Sequence, residues 1–179
     1  MEKKNRILVK TNNMRSHSTK IISNGLFILL SLSIILFSYF KCIEKELLLP
    51  ILGSFVTFYI GVLKQISDED NLFKNLFEAF NNRYDNKLND LFNELKINTT
   101  KILTEDEIKL IIDYFNLSSE EYLWYAKGRI PKDVWIAWKS GILENLQIPQ
   151  VKEIYENETK TKRRELSYYG LVKELKKQI

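Results

Sequence analysis

The sequence predicts an all-α protein in which a transmembrane helical hairpin is followed by a cytoplasmic helical domain. Two apolar runs, residues 21–40 and 47–63, contain no Asp, Glu, Lys, Arg or His, and only a short charged segment separates them. Later in the chain, apolar residues recur three and four positions apart, as on one face of a helix. These observations divide the chain into a basic tail at 1–20, a two-span hairpin at 21–64 and a helical domain at 65–179.

Each apolar run is long enough to cross a bilayer as a helix. With a rise of ~1.5 Å per residue, residues 21–40 reach ~30 Å, the thickness of the hydrocarbon core, and residues 47–63 fall just inside the usual range. A cleaved signal peptide would end in small residues, whereas the first run ends in the bulky and charged sequence SYFKC. A buried hairpin in a soluble protein is also disfavoured, because the remaining residues could hardly cover two uniformly apolar helices.

The positive charge around the spans predicts their orientation. The connector between the spans carries equal numbers of acids and bases, whereas the tail has one acid, Glu2, and an excess of bases: Lys3, Lys4, Arg6, Lys10, Arg15 and Lys20. Basic residues beside a span resist translocation, so both termini are expected in the cytoplasm and the spans in a bacterial inner membrane. The tail could be disordered, lie along anionic headgroups or plug a lumen.

The region after the spans is slightly acidic. Since 9 of the 27 basic residues and 3 of the 23 acidic residues precede position 65, it holds 18 basic and 20 acidic residues. A basic platform for nucleic acid is therefore not expected, and neither is direct nucleic-acid binding.

A helical stripe follows the second span. From residue 66 to 95 the apolar positions share one helical face, and they are Leu72, Phe73, Leu76, Phe77, Phe80, Tyr84, Leu88, Leu91, Phe92 and Leu95. No Pro or Gly interrupts the chain between Gly61 and Gly128. The second span could therefore continue directly into this helix, although Ser67 and Asp70 could also cap a new one.

Capping signals predict the next two helices. Thr104 with Glu107 forms a capping box that opens a helix through Phe115. Ser118 with Glu121 has the same spacing and predicts a second helix, which would end at Gly128.

Two prolines predict the starts of the helices that follow. Pro131 suits the first turn of a helix that carries Val134, Trp135, Trp138, Ile142 and Leu146, and Pro149 begins the next. The charged stretch 151–179 is expected to form two helices. Its expected inward positions are Ile154, Tyr155, Leu166, Tyr169, Val172 and Leu175.

The inventory of reactive side chains excludes several enzyme classes. The region 65–179 has no Cys or His, because the single Cys42 lies in the connector and the single His17 lies in the tail. Zinc sites, Ser/His and Cys/His pairs and imidazole-based ribonuclease chemistry are thereby excluded there. No glycine loop that could cradle a phosphate is present. We expect neither a cofactor nor a metal. Cys42 is expected on the outer side, either free or paired with another copy.

Carboxylates remain as the only candidates for catalysis. Glu120 and Glu121 are adjacent and so diverge on a helix, while Asp85 and Asp90 lie near Arg83 on a face that could be solvated. The simpler interpretation of these acids is surface charge and helix caps, and we expect the protein not to be an enzyme.

Each span has a different row of polar or small residues along one side of its helix. In the first span Asn24, Ser31 and Ser38 recur every seven residues, and in the second Gly53, Thr57 and Gly61 recur every four. One interpretation is that both stripes pack the hairpin against itself. The other is a homo-oligomeric ring, with the small residues at contacts between protomers and the Asn/Ser stripe lining a weakly selective aqueous path.

Four segments carry a resemblance to a known family. They are residues 80–89 (FNNRYDNKLN), 113–124 (DYFNLSSEEYLW), 128–131 (GRIP) and 134–138 (VWIAW). Together with the chain length and the amino-terminal membrane segment, they resemble the accessory membrane proteins of type VI-B CRISPR-Cas antiphage systems. The resemblance implies a pore-like homo-oligomer that depolarises the infected cell after an RNA-guided ribonuclease has cut transcripts. It also implies a cytoplasmic fold similar to HEPN ribonuclease domains.

The HEPN catalytic signature is incomplete in this sequence. Those nucleases place a histidine a few residues after an arginine, and Arg83 fits the arginine but no histidine follows it. The resemblance therefore implies a scaffold or interface role for the motif residues Arg83, Tyr84, Asp85, Asn116, Glu120, Glu121, Tyr122, Trp124, Trp135 and Trp138. The aromatic members suit a helical core, and a contact surface for a protomer or partner is the alternative.

The sequence leaves three functional classes open. The first is an antiphage effector that forms a pore-like oligomer, with membrane lipids as partners and a functional link to an RNA-guided ribonuclease. The second is a membrane-anchored helical module that recruits a cytoplasmic partner without channel activity. The third is an enzyme near the membrane, which would need an essential carboxylate.

Overall fold

The computed structural model describes residues 2–40 and 44–177, with side chains from residue 21 onward apart from residue 45. Every regular element in these ranges is a helix, which confirms the predicted all-α class. The chain divides into two compact units, Met1–Leu72 and Phe73–Ile179. We refer to them as the hairpin unit and the core unit. The predicted location of Cys42 lies outside the described residues.

Two long helices dominate the beginning of the chain. Helix α1 covers Glu2–Tyr39, so the predicted basic tail is helical and continuous with the first apolar run. Helix α2 covers Lys45–Arg83 and contains Pro50. It is continuous at Ser67, which decides between the two alternatives left open by the sequence.

Both helices contain segments that are long and apolar enough to cross a membrane. The first is Ile21–Tyr39, with a mean hydropathy of 2.2, and the second lies in the helical stretch Glu46–Ile97, with a mean hydropathy of 1.8. None of either apolar window is buried within the protein. Their large side chains are exposed on several sides of each helix, an arrangement that water does not favour and lipid does.

Aromatic side chains join α1 to α2 as an antiparallel hairpin. The ring of Phe27 stacks on Phe55, with centroids 5.2 Å apart, and on Tyr59, with centroids 4.1 Å apart. Offset stacking of this kind stabilises a contact beyond the area it covers. The hairpin predicted from the two apolar runs is therefore present in the structure.

The described residues of the core unit, up to position 177, form the end of α2, a π-helix and six further α-helices. These elements are the π-helix Tyr84–Leu88, α3 (Asn89–Ile97), α4 (Glu105–Ala126), α5 (Lys132–Asn145), α6 (Pro149–Thr159), α7 (Lys162–Ser167) and α8 (Leu171–Leu175). Helix α4 is central, because it contacts the π-helix, α5, α6 and α8. The largest fully buried side chains include Trp135, Phe92, Phe115 and Leu95.

Helix α4 confirms one predicted cap and corrects the other. Thr104 accepts a hydrogen bond from the Glu107 backbone N–H, and the Glu107 carboxylate accepts one from the Thr104 backbone N–H, as expected of a capping box. The second predicted start is wrong, because the Ser118 hydroxyl donates to the Tyr114 carbonyl inside one continuous helix. Gly128, with φ of 72°, follows the end of the helix as predicted.

The prolines mark helix starts as predicted, but the end of the chain has one helix more than expected. Pro131 precedes α5, and Pro149 is the first residue of α6. After α6 the chain forms two short helices, α7 and α8, separated by Gly170 with φ of 91°. Leu166 and Tyr169 were expected to point inward, yet both are exposed, whereas Tyr155, Val172 and Leu175 are buried as expected.

Candidate functional site

The Asn/Ser stripe of the first span lies on the side of α1 that faces α2. The Asn24 side-chain carbonyl accepts a hydrogen bond from the Tyr59 hydroxyl. Ser31 and Ser38 are half-buried, and the Ser31 hydroxyl donates to the Phe27 carbonyl one turn earlier, at 2.8 Å. In the single chain Asn24 thus bonds to the other hairpin helix and Ser31 to its own, and the pore-lining assignment of the stripe stays a prediction.

The small-residue stripe of the second span is open. Gly53, Thr57 and Gly61 are all exposed, and a Cβ added at either glycine would meet no heavy atom within 4 Å. The Thr57 hydroxyl donates to the Gly53 carbonyl at 2.9 Å, so it is satisfied within its own helix. The stripe therefore does not pack the hairpin against itself.

In the core unit, Arg83 and Glu120 form a two-pronged ion pair. Arg83 is the last residue of α2 and directly precedes the π-helix, and its guanidinium nitrogens lie 2.6 Å and 3.4 Å from the two Glu120 carboxylate oxygens. Both side chains are partly exposed. π-Helical turns are often found at functional sites, and this one places two of the motif residues, Arg83 and Tyr84, beside α4.

Glu121 corrects the expectation that these acids are surface charges. It diverges from Glu120, as adjacent helical residues do, and only 8% of it is exposed. Its carboxyl makes no hydrogen bond within the part of the chain that the structure describes. Burial raises the pKa of Glu121 to about 8, while Arg83 acts in the opposite direction and Glu120 adds to the increase. The buried carboxyl therefore holds its proton at neutral pH.

A tyrosine that the sequence did not single out lies on the same face as Glu121. Tyr114 is seven residues earlier in α4, and its hydroxyl accepts a hydrogen bond from the Asn145 side chain at 3.1 Å. Its ring contacts Phe92 with centroids 4.6 Å apart. Burial raises the pKa of Tyr114 well above its ordinary value. The seven-residue spacing could have placed Tyr114 beside Glu121, but no sequence signal marks Asn145 as its partner.

The aromatic motif residues belong mainly to the core. Trp135 is fully buried, and its ring lies 5.3 Å from Tyr122 and 5.4 Å from Tyr125 between centroids. Trp138 is half-buried and stacks on Phe77 at 5.9 Å. Trp135 therefore lies in the core, whereas Trp138 is only half-buried.

The remaining motif residues are not drawn into one site. Asp85 and Asn116 are exposed, and Trp124 is half-buried with the Lys127 ammonium 5.0 Å from its ring centroid. The structure thus brings together Arg83, Tyr84, Glu120 and Glu121 and leaves the others on separate surfaces.

A shallow groove of about 410 Å³ lies between α4 and α6. Ile102, Ile108, Ile112 and Ile154 contribute apolar walls, and Glu153 lies at its edge. Among the described residues, no three His, Cys, Asp or Glu side chains are grouped so that they could hold a metal ion. The groove offers apolar contact, and Lys101, which also lines it, is ion-paired with Glu94 and Glu107.

Comparison with known proteins gives no relative: no family model, curated protein or solved structure matches this chain.

Proposed function

We propose that this protein is a bacterial inner-membrane antiphage effector that self-assembles through its second span into a pore-like oligomer and depolarises the membrane on activation. The observation that carries the proposal is the open stripe of Gly53, Thr57 and Gly61.

The two glycines of the stripe have no use within the single chain. Glycine in a helix costs ~1 kcal/mol relative to alanine, so a repeated glycine needs a physical reason. Neither Gly53 nor Gly61 has a positive φ, and no neighbour lies where its Cβ would be. The known advantage of small residues four apart in an apolar helix is the close approach of a second helix in lipid. A second copy of the chain supplies such a helix.

The exposed surface of the rest of the hairpin favours a lipid environment. The spans are free of charge and their large apolar side chains point outward, so burying them in hydrocarbon removes a surface that water would penalise. The bases of the tail favour an orientation with both termini in the cytoplasm.

The lining of the proposed pore would come from α1. Asn24, Ser31 and Ser38 follow one another at intervals of ~10.5 Å along the helix axis, since seven residues rise by that distance. One amide and two hydroxyls per protomer would form a polar but uncharged path, which discriminates weakly between ions. Loss of membrane potential would follow from such a path.

The defence role is supported by the family resemblance. In that context the core unit would act as a non-enzymatic, HEPN-like scaffold that receives a signal, without a cofactor, metal or bound nucleic acid. Arg83, which fits the HEPN arginine, is already paired with Glu120. The protein would act in the same defence response as an RNA-guided ribonuclease without taking part in RNA cleavage.

A second candidate is a membrane-anchored module that recruits a cytoplasmic partner and has no channel activity. The observation that favours it is the internal use of the polar stripe, because Asn24 bonds to Tyr59 and Ser31 to its own helix. A hairpin that only anchors needs no polar group facing outward.

Glycine substitutions separate the two candidates. Gly53→Leu and Gly61→Leu fill the open stripe, and Gly25→Leu is the matched control in α1, where a Cβ also meets nothing within 4 Å. We expect the first two to reduce the assembly in detergent to a small species, measured by light scattering and particle imaging, while Gly25→Leu leaves it large. A wild-type protein that is itself small and gives no ring would contradict the pore and support the anchor.

The lining assignment has its own test. Changing Asn24, Ser31 and Ser38 together to Leu should blunt depolarisation in cells that contain the activating system, as measured with a potential-sensitive dye. An unchanged response would remove these residues as the lining while leaving assembly through the glycine stripe intact.

A further inference from the structure

We infer that the hydrogen bond between Asn24 and Tyr59 is a latch that keeps the hairpin in a closed state, and that the pore opens when this bond breaks. The inference rests on the proposed function and adds its regulation. It starts from a conflict in the structure, since the side-chain carbonyl of Asn24, the first residue of the polar stripe, is bonded to α2 and is therefore not free to line a lumen.

The bond differs in kind from the other hydrogen bonds of the spans. The hydroxyls of Ser31, Ser33 and Thr57 donate to carbonyls one turn earlier in their own helices, so they do not hold the helices together. Asn24 and Tyr59 lie 35 positions apart and join α1 to α2. Breaking this bond lets the two helices move relative to each other without unfolding either of them.

The latch lies near one end of the apolar layer. Asn24 is three residues after Ile21, so it lies ~4.5 Å along the axis from the start of the first run. Tyr59 is four residues before Leu63, or ~6 Å from the end of the second run. In the proposed orientation this end is the cytoplasmic mouth, where a cytoplasmic signal would first act. Ser31 and Ser38 lie deeper along the same stripe.

Aromatic stacking supports the closed position of Tyr59. Its ring lies against Phe27, which is one turn from Asn24 in α1, and Phe27 also stacks on Phe55. These contacts hold the hydroxyl within reach of the Asn24 amide. The stacking buries apolar surface, whereas the hydrogen bond is directional and joins one pair of atoms, so the bond is the part that defines the closed state.

Tyr59→Phe is the sharpest test, because it removes the hydroxyl and keeps the ring and its stacking. Side-chain hydrogen bonds inside membrane proteins average ~0.6 kcal/mol, which corresponds to about a threefold change in the ratio of open to closed states. We therefore expect the full-length variant to leak about three times faster than wild type in potassium-loaded vesicles of phosphatidylethanolamine and phosphatidylglycerol. Ser33→Ala is the matched control, since it deletes a hydroxyl that bonds only within α1 and should leave the leak unchanged.

A double-mutant cycle shows whether the two side chains act as a pair. Asn24→Ala should also raise the leak, because it removes the latch while Ser31 and Ser38 keep the path polar. The double variant Asn24→Ala with Tyr59→Phe should leak no more than the stronger single variant. Additive effects, or a Tyr59→Phe variant that assembles into rings but leaks like wild type, would overturn the latch and leave the proposed pore standing. If neither rings nor leak appear for wild type or any variant, the proposed function fails and the latch fails with it.

Discussion

The hairpin unit and the core unit are both built from helices, but they distribute apolar side chains in opposite ways. In the hairpin Leu36 is 57% exposed, whereas in the core unit Leu95 is 0% exposed. The core unit follows the rule for a protein in water, with apolar side chains buried by α3, α4, α5, α6 and α8. The hairpin breaks that rule along both candidate spans, whose apolar side chains are exposed. This indicates an apolar environment around the hairpin.

Polar groups follow the same division. In the hairpin the hydroxyls of Ser31, Ser33 and Thr57 are satisfied by carbonyls of their own helices. In the core unit polar groups link separate elements, as Lys139 does with Glu174 at 2.9 Å, both largely buried. A hydroxyl on an apolar helix has few outside partners, so these three hairpin hydroxyls are satisfied locally, and the bond from Tyr59 to Asn24 is the exception that joins the two helices.

The largest contrast is expected from one substitution made in both units. Leu95→Ala removes a fully buried side chain and should lower the free energy of unfolding of the core unit by roughly 2–5 kcal/mol. Leu36→Ala removes an exposed side chain and should leave core-unit stability unchanged. Tryptophan fluorescence during urea unfolding in detergent reports on the core unit alone, because all 3 tryptophans, Trp124, Trp135 and Trp138, lie in it. Equal losses for the two variants would refute the contrast.

An arginine substitution tests more directly whether a surface faces lipid or water. Ile35 and Ile102 are 53% and 91% exposed, so both accept an arginine without steric conflict. Ile35→Arg should cost up to roughly 2.5–3.5 kcal/mol of membrane insertion, the value for the centre of a span, whereas Ile102→Arg should change stability by no more than about 0.5 kcal/mol. Membrane fractionation after expression, with Ile102→Arg as the control, measures the difference. If the Ile35→Arg protein inserted normally, the face of α1 that carries Ile35 would be in contact with water and not with lipid.

Much of the fold can be predicted because its signals are local. Two runs without charge predicted the spans, the pair Thr104 and Glu107 predicted the start of α4, and Pro149 predicted the start of α6. Each of these signals acts within one turn of helix or within one uninterrupted run. Residues distant in sequence do not change the outcome.

The errors arise where tertiary contacts decide. Ser118 with Glu121 has capping-box spacing, but no breaker precedes Ser118, and its hydroxyl bonds to Tyr114 within a helix that packing keeps whole. The π-helix Tyr84–Leu88 has no sequence signature of its own. The burial of Glu121 depends on which neighbours cover it, and adjacent acids predict only that the two side chains diverge.

The buried carboxyl of Glu121 predicts a pH dependence that the charge-free spans lack. Its folded pKa of about 8 lies above the ordinary value of 4.5, so the unfolded chain loses this proton first. Core-unit stability should therefore fall as pH rises from about 4.5 to about 8 and level off above that. Glu121→Gln should remove this decline and be more stable than wild type above pH 8.

Asp113→Asn is the control for this titration, because Asp113 is an exposed acid of the same helix. Urea unfolding followed by tryptophan fluorescence at a series of pH values should show the decline for wild type and Asp113→Asn alike. If Glu121→Gln retains the wild-type slope, the carboxyl is ionised in the folded protein and Arg83 is its partner.

The smallest expected effect concerns a hydroxyl, and it again distinguishes the two units. Thr104→Ala removes the side-chain acceptor of the α4 capping box and should cost about 1 kcal/mol of core-unit stability. Ser33→Ala, in the hairpin, removes a hydroxyl that bonds to a carbonyl already satisfied by its helix and should cost nearly nothing. Urea unfolding in detergent measures the first, and membrane fractionation together with far-ultraviolet circular dichroism measures the second.

Glu107 makes the cap sensitive to acid and so gives this last prediction a second readout. The ammonium of Lys101 first, and then the Thr104 backbone N–H, lower the pKa of Glu107 from 4.5 to about 2. The stabilisation is therefore complete above pH 4.5 and is lost as pH falls towards 2. Thr104→Ala keeps the backbone N–H and Lys101, so the acid-induced loss should persist in the variant. If that loss disappeared with the hydroxyl, the threonine side chain would be the group that holds the carboxylate.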